Sequence, residues 1–463
     1  MDGCASSEDH GYSFFTGLAL SFLIIGLAVR LALAPLLTYP FDIEHWAVIL
    51  QNTESGNGLF NLTGYFYTPV WGYILGFEDL LVNVVGGAVY GDRFTDLLGI
   101  EAMAFPYYTA TTTTPAFNVM MKLPLIAVDV LVGYIVYRLV LSEGGDVRRA
   151  SVAFGLWFLC PIVIYMSSVQ AQFDCISALF ALLCVLLMRR GFFFLAGAMF
   201  TLASLIKFFP AFCILILCVY VYRTASDRAD SLRNLFLAVA GALIVATVVF
   251  LPQILDGTFM DAFSFVFGRT SEYDVLQAIR TYPFLIITVI AMVVLMVLAL
   301  RMDREVLEDN LLLLVLSMLS VCTIFSSGPQ YWIVYLPLMT YYIVCRDRNR
   351  ALLGCTVAMG ICTVLTAFIN NNLSILTSAA EYLGLCDPAS VLAWMGVLDA
   401  PAAFGLTVAA LITTVTETIQ LIIMCIMAIF LLSDLGIFDR YKFWSDFILH
   451  LRTALGGEID GQA

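Results

Sequence analysis

Three ionisable side chains, Asp42, Glu44 and His45, fall within four positions directly after the first apolar run. A carboxylate or imidazole at an apolar–water boundary can act as a base toward a hydroxyl group, provided a substrate comes within hydrogen-bond reach. Asp42 also follows Pro40 at the start of a helical pattern, so helix capping is an equal reading of that residue. Lysine is scarce, with only Lys122, Lys207 and Lys442 in the chain. Lys122 opens KLPLIAVDVLVGY and Lys207 sits in SLIKFFPAF, each at the edge of an apolar run. A lysine there either extends its ammonium to the interface or meets an anion, a phosphate or a buried carboxylate. Arg30 and Asp129 lie inside apolar runs, where an ionised group needs a partner. Two further polar clusters stand out. Ser167, Ser168, Gln170, Gln172 and Asp174 crowd one short turn, and Gln330 and Tyr331 open another helix end. The first is a solvated hairpin or a polar wall. The second is a sugar-binding edge or part of an aromatic belt.

The elements that must hold these groups are apolar helices. Of 463 residues, 61% are hydrophobic and 12% are charged, about half the charged share of a soluble domain. Apolar runs bounded by charges fall at about 13–37, 119–141, 150–168, 174–188, 191–206, 209–222, 233–251, 284–300, 310–325, 331–345, 351–369 and 405–432. They predict an all-α polytopic membrane protein of about twelve transmembrane helices, some shorter than the roughly 20 residues that cross a bilayer unaided. With both termini cytoplasmic, sixteen Lys and Arg residues fall inside and five outside, with Arg30 within the first helix. That asymmetry follows the positive-inside rule.

This sidedness gives four segments. Residues 1–38 hold the N-terminal tail and first span, and 39–117 form a long outer loop. Residues 118–345 form a transmembrane core, and 346–463 hold the remaining spans and a cytoplasmic tail. In the outer loop, Ile43, Trp46, Ile49 and Leu50 recur at helical spacing, as in a helix lying on the membrane with Trp46 at headgroup level. The run 65–91, after the Tyr67-Thr68-Pro69 turn, reads as interfacial helices. A span there would place Glu78, Asp79 and Asn83 in mid-bilayer and invert every later loop. The net charge of −13 argues against nucleic acid, which is bound by clustered Lys and Arg. The twelve cysteines lie mostly inside apolar runs and show no zinc-type spacing.

The order of these motifs resembles the GT-C superfamily of polytopic glycosyltransferases. The nearest likeness is to GPI-anchor-mannosyltransferase-like prokaryotic members and to dolichyl-phosphate-sugar transferases. The motifs are the Asp42-x-Glu44 stretch with His45-Trp46, the Tyr67-x-Pro69 turn and Lys122-Leu123-Pro124 with Asp129 beyond it. Trp157 and Pro161, Gln172-Phe173-Asp174, Leu205-Ile206-Lys207 with Pro210, and Pro329-Gln330-Tyr331 before Leu336-Pro337 follow. The resemblance covers roughly 20–340, and 350–463 adds little to it. It implies an inverting transfer of a sugar, with mannose the first choice, from a polyprenyl-phosphate (dolichyl-phosphate) donor to a hydroxyl acceptor. The acceptor is a lipid-linked glycan, a glycolipid or a protein. Asp42 becomes the base, with Glu44 or His45 as alternative or auxiliary. Lys207, Lys122 and Arg30 face the donor phosphate, and Gln172, Asp174, Tyr67, Gln330 and Tyr331 line the substrate. No metal and no cofactor is expected beyond the lipid-borne donor. Many relatives have Tyr-Pro-Pro where this chain has Tyr67-Thr68-Pro69. The rival readings are a secondary transporter, which would show repeated halves, and a non-catalytic subunit of a glycan-assembly complex.

Overall fold

Apolar surroundings cannot hydrogen-bond a peptide group, so a greasy chain must satisfy its backbone within each segment. The computed structural model of the chain accordingly shows helix after helix. It describes residues 17–39, 67–90, 114–262, 275–324, 330–346, 350–370, 374–384, 388–439 and 441–455, together with isolated positions such as Phe15, Asp42, Ile43, Trp46, Ile49 and Leu50. Among the described residues the only β pairing is one isolated bridge between Pro401 and Thr407.

The helices run in the order α1 (Gly17–Leu33), α2 (Pro69–Tyr90), α3 (Pro115–Ser142), α4 (Val147–Phe158), α5 (Pro161–Tyr165), α6 (Asp174–Arg189), α7 (Phe193–Ile206), α8 (Ile214–Thr224) and α9 (Arg228–Asp256). They continue as α10 (Val275–Arg301), α11 (Arg304–Thr323), α12 (Leu336–Cys345), α13 (Arg350–Asn370), α14 (Thr377–Leu383), α15 (Pro388–Leu398), α16 (Val408–Asp434) and α17 (Lys442–Ala454). Their starts are written in the sequence. Thr114 caps α3 by accepting from the Phe117 N–H, with Pro115 at the first helical position, where a missing N–H is harmless. Asp146 caps α4 through the Arg149 N–H, and Asp227 caps α9 through the Asp230 N–H.

Among the described residues, five helices are long and apolar enough to cross a membrane: α3, α9, α11, α13 and α16. A sixth is added if α4 and the Pro161–Gln170 segment, bent by 49°, form one span. This is the make-up of an integral membrane protein. The expected twelve spans are reached only if shorter apolar helices such as α1, α7 and α12 cross as well. The segment expected to form the first outer loop also differs from expectation. Residues 69–90 form one unbroken helix, α2, rather than several. It buries Val70, Trp71, Leu75 and Glu78 and exposes Phe77, Leu80 and Val84. The Tyr73 hydroxyl donates to the Val249 carbonyl (2.8 Å), which ties α2 to α9.

One apolar core runs from α1 to α17, with α11 from Leu311 onward and α12 buried nearly all round. The closest seam joins α7 and α9. A Cβ on Gly197 would stand 1.9 Å from the Ala238 carbonyl oxygen, and one on Gly241 1.9 Å from that of Phe194. Only hydrogen fits at either position. Small residues at such crossings let backbones approach where lipid offers no hydrophobic drive between helices. The rest of α9 presents Phe236, Leu243, Val248 and Leu255 outward.

Candidate active site

The site is organised by one corner, Ala171–Asp174, between α5 and α6. Cys160 and Pro161 break the helix after α4, and the chain leaves α5 through a π turn over Met166–Gln170. Ala171 ends that turn in the left-handed region (φ 56°, ψ 39°). An L-residue there is disfavoured by about 1–2 kcal/mol, and such conformations gather at functional sites. The corner then sends four consecutive residues to four different places. The Ala171 carbonyl accepts the Trp46 indole N–H (3.2 Å). Gln172 Nε2 donates to Asp42 Oδ2 (2.8 Å). Phe173 stacks on Trp71, with centroids 3.9 Å apart. Asp174 Oδ2 pairs with Lys207 Nζ (3.3 Å).

Asp42 lies in a short helical segment with Ile43, Trp46, Ile49 and Leu50, all buried. Only 6% of Asp42 is exposed. Burial pushes its carboxyl up to about 6. Hydrogen bonds from Gln172 and Gln170 and the charge of Lys207 oppose that rise, and Asp174 adds to it. The group therefore ionises near neutrality while remaining shielded, a combination suited to a general base. Trp46 differs from its expected place at the headgroups. Its ring is fully buried and packs edge-on against Trp71 (5.2 Å) as well as reaching Ala171. The helical spacing is right, but the apolar face meets protein rather than lipid.

Lys207 ends α7 in an extended conformation (φ −138°, ψ 135°). Its ammonium stands 4.7 Å from the Phe173 ring, 5.4 Å from Tyr331 and 5.9 Å from Tyr67. This is an aromatic cradle closed on one side by Asp174. The side chain keeps 10% of its surface open. An ammonium has three N–H donors; Asp174 takes one, and the other two have no hydrogen-bond partner among the described residues. Thr68 holds Tyr67 in register by donating to the Leu205 carbonyl, two residues before Lys207 (2.6 Å).

The structure thus gathers Asp42, Gln172, Asp174, Lys207, Tyr67 and Tyr331 around one corner. Gln330 begins the 3₁₀ turn that carries Tyr331, and its amide lies over Gly328. Glu44 and His45 lie outside the described residues. Lys122 and Arg30, expected beside the donor phosphate, are placed away from this corner, each engaged with other protein groups. Lys122 is fully buried, and its three donors go to the Ala34 carbonyl (2.8 Å), the Leu37 carbonyl (2.9 Å) and Thr38 Oγ1 (2.7 Å). It closes the end of α1 and has no donor to spare. Arg30 donates through Nε and Nη2 to Asp129 Oδ2 and through Nη1 to the Phe158 carbonyl, with its guanidinium over the Phe158 ring. Arg30 and Asp129 are the partners each needed, and Trp157 fixes the site further by donating to the Asp129 carbonyl. The sequence reading missed the Trp46–Trp71–Phe173 stack. Its only signal was three aromatic residues flanking three polar motifs.

No protein-family model matches the chain, and no curated protein is significantly similar to it.

Proposed function

We propose that the chain is an inverting, GT-C-type glycosyltransferase with about twelve membrane spans and both termini cytoplasmic. It moves a sugar, with mannose the first candidate, from a polyprenyl-phosphate donor to a hydroxyl acceptor at the outer membrane face. The observation that carries this reading is the Ala171–Asp174 corner. It holds a buried carboxyl ionising near neutrality beside a lysine with two donors that no described residue takes.

The two groups divide the work. Asp42 takes the proton of the acceptor hydroxyl as its oxygen attacks the anomeric carbon. The bond from that carbon to the phosphate oxygen breaks, and the polyprenyl phosphate leaves with the electron pair. The negative charge that grows on the phosphate is met by Lys207, whose aromatic surroundings exclude water and strengthen the interaction. Gln172 and Gln170 hold the Asp42 carboxylate in position. A single displacement inverts the anomeric centre and needs one essential carboxylate, unlike the paired carboxylates of glycosidases. A lipid monophosphate offers no pyrophosphate for a metal to bridge, so the reading includes none. Lys122 and Arg30 support the scaffold rather than the donor.

The test is incubation of the purified chain in lipid nanodiscs with a panel of polyprenyl-phosphate sugars and membrane glycolipids, followed by mass spectrometry of the lipid extract. A new glycolipid whose appearance requires Asp42 and Lys207 supports the reading. Absence of transfer with every donor, together with counterflow of a labelled solute in proteoliposomes, would replace it with a carrier.

A further inference from the structure

Helix α17 is amphipathic by the spacing of its residues. At 3.6 residues per turn, Phe443, Phe447, Leu451, Trp444 and Ile448 fall within an arc of about 140°. Lys442, Asp446, His450 and Thr453 take the opposite side, together with Leu449. Among the described residues, protein covers one edge of the apolar arc and leaves the other open. Ile448 is 2% exposed and Leu451 packs against the core. At the other edge Phe443, Trp444 and Phe447 stay 74%, 48% and 47% exposed, beside Tyr441 at 63%. The rings gather around Trp444, with the Phe443 centroid 5.6 Å away and that of Phe447 6.1 Å away. An apolar patch rimmed by polar groups marks a contact surface.

The far end of α17 is clasped to the last turn of α16, a helix long and apolar enough to cross a membrane. Arg452 donates to the Phe430 carbonyl (2.9 Å), pairs with Asp434 and sets its guanidinium over the Phe430 ring. Tyr342 of α12 donates to the other oxygen of Asp434 (2.7 Å), so the clasp joins three helices. Along α16, Val415, Ile419 and Ile422 face outward at i, i+4 and i+7. The part-buried Ile426 and Ile429 continue that stripe to the turn that holds Phe430. The outward apolar stripe of a spanning helix meets lipid and ends at the headgroups, where Trp and Tyr are enriched. The clasp holds the aromatic edge of α17 at that boundary.

We propose that α17 is a membrane-surface helix, with Phe443, Trp444 and Phe447 inserted between the lipid headgroups and the upper acyl chains. The occupant of this face is the bilayer that α16 crosses. The inserted rings reach about 5–10 Å into the boundary, and the Trp444 indole N–H meets headgroup oxygens. The polar side sets Lys442 against Asp446, so attraction to anionic lipid contributes little and zwitterionic phosphatidylcholine suffices. The segment expected to lie in a cytoplasmic tail is thus tied to the membrane. This inference rests on the membrane character of the chain and not on the sugar chemistry.

The experiment places the full chain in phosphatidylcholine nanodiscs, one chain per disc, and reads Trp444 emission as wild type minus Trp444→Phe. The subtraction removes the other five tryptophans, of which Trp46, Trp71, Trp157 and Trp332 are fully buried. Phe keeps an aromatic ring at a half-exposed position, so the thermal midpoint should not change. The lipids carry bromine either high on the acyl chain, near the glycerol, or near the terminal methyl. High bromine should quench the Trp444 component about twofold more than deep bromine, matching the shallow depth of an interfacial helix. Dissolved acrylamide should quench it about fivefold less than it quenches free tryptophan. The double variant Phe443→Asp, Phe447→Asp removes two exposed rings without touching the core. It should lower the quenching by high bromine and raise that by acrylamide, each about twofold. Full acrylamide quenching with none by bromine puts the face in water. Shielding from both puts it against protein, and stronger quenching by deep bromine puts α17 inside a span. Each of these results overturns the proposal, as does a double variant that matches wild type. None of the readouts needs sugar transfer, so failure of the transferase reading leaves them standing.

Discussion

Replacing Asp42 by Asn should remove transfer and stabilise the fold, and the size of both effects follows from the environment of one carboxyl. Its ordinary value is 3.8 and burial raises it to about 6. The folded protein thus holds this proton more tightly than the unfolded chain does. Stability from this group is full below about pH 4 and falls as pH rises through about 6. The gap corresponds to about 3 kcal/mol of destabilisation at pH 7. Asn keeps the shape and can still accept from Gln172 while carrying no charge, so it should recover up to that amount. The assay is the thermal midpoint in nanodiscs at about pH 7 and about pH 4.5, with the gain present at the first and largely gone at the second. Turnover should move the other way. Wild-type transfer should fall about tenfold from pH 7 to pH 5 as the base protonates, and Asn should lose about 10²–10⁴-fold at every pH. An Asn variant less stable than wild type at neutral pH, or a flat rate profile across that range, would refute the assignment of Asp42.

Other outcomes follow from the same geometry. Lys207→Met should lower turnover by about 10²–10³-fold, measured with saturating donor, and Lys207→Arg should lose less. Lys122→Met should lower the thermal midpoint because it leaves the Ala34 and Leu37 carbonyls and Thr38 without their donor, and turnover per folded molecule should hold. Arg30→Met should cost about 3–5 kcal/mol by leaving Asp129 buried and unpaired, and adding Asp129→Leu should restore much of that loss, read from thermal midpoints of both single variants and the double. Gly197→Val should reduce the folded yield on size-exclusion chromatography, because its Cβ has no room beside the Ala238 carbonyl.

The helical character of the chain was legible because apolar runs bounded by charge leave the backbone few alternatives. Each of the twelve runs contains a helix, and the breaks at Pro161 and around Lys207–Pro210 fall where the sequence changes. The number that cross a membrane was less legible, since length alone does not say whether a helix of the size of α7 or α12 spans or stops short. At the site, Gln172, Asp174 and Lys207 could be singled out by charge and place, because polar groups are scarce in this chain. Their partners could not. The same rule that flagged Lys122 as a helix-end cation could not say that the Ala34 and Leu37 carbonyls and Thr38 at the end of α1 would take all three of its donors. Trp46 shows the same limit. Periodicity gave its helical face, but whether that face meets lipid or protein depends on residues 125 positions away in the Ala171 turn. Glu78 was noticed as costly in mid-bilayer; its burial without a partner is a property of packing that no local pattern encodes.

Lys122 also bears on how the chain is built. Its ammonium can leave water only where the end of α1 already offers oxygen ligands, because an unpaired cation is strongly disfavoured in the apolar phase. Ribosomal synthesis delivers α1 well before α3, so the receiving carbonyls are in place when the lysine arrives. The order of synthesis thus matches the order this contact needs, and a circularly permuted chain that emerged with α3 ahead of α1 would have to lodge that charge with nothing yet there to receive it.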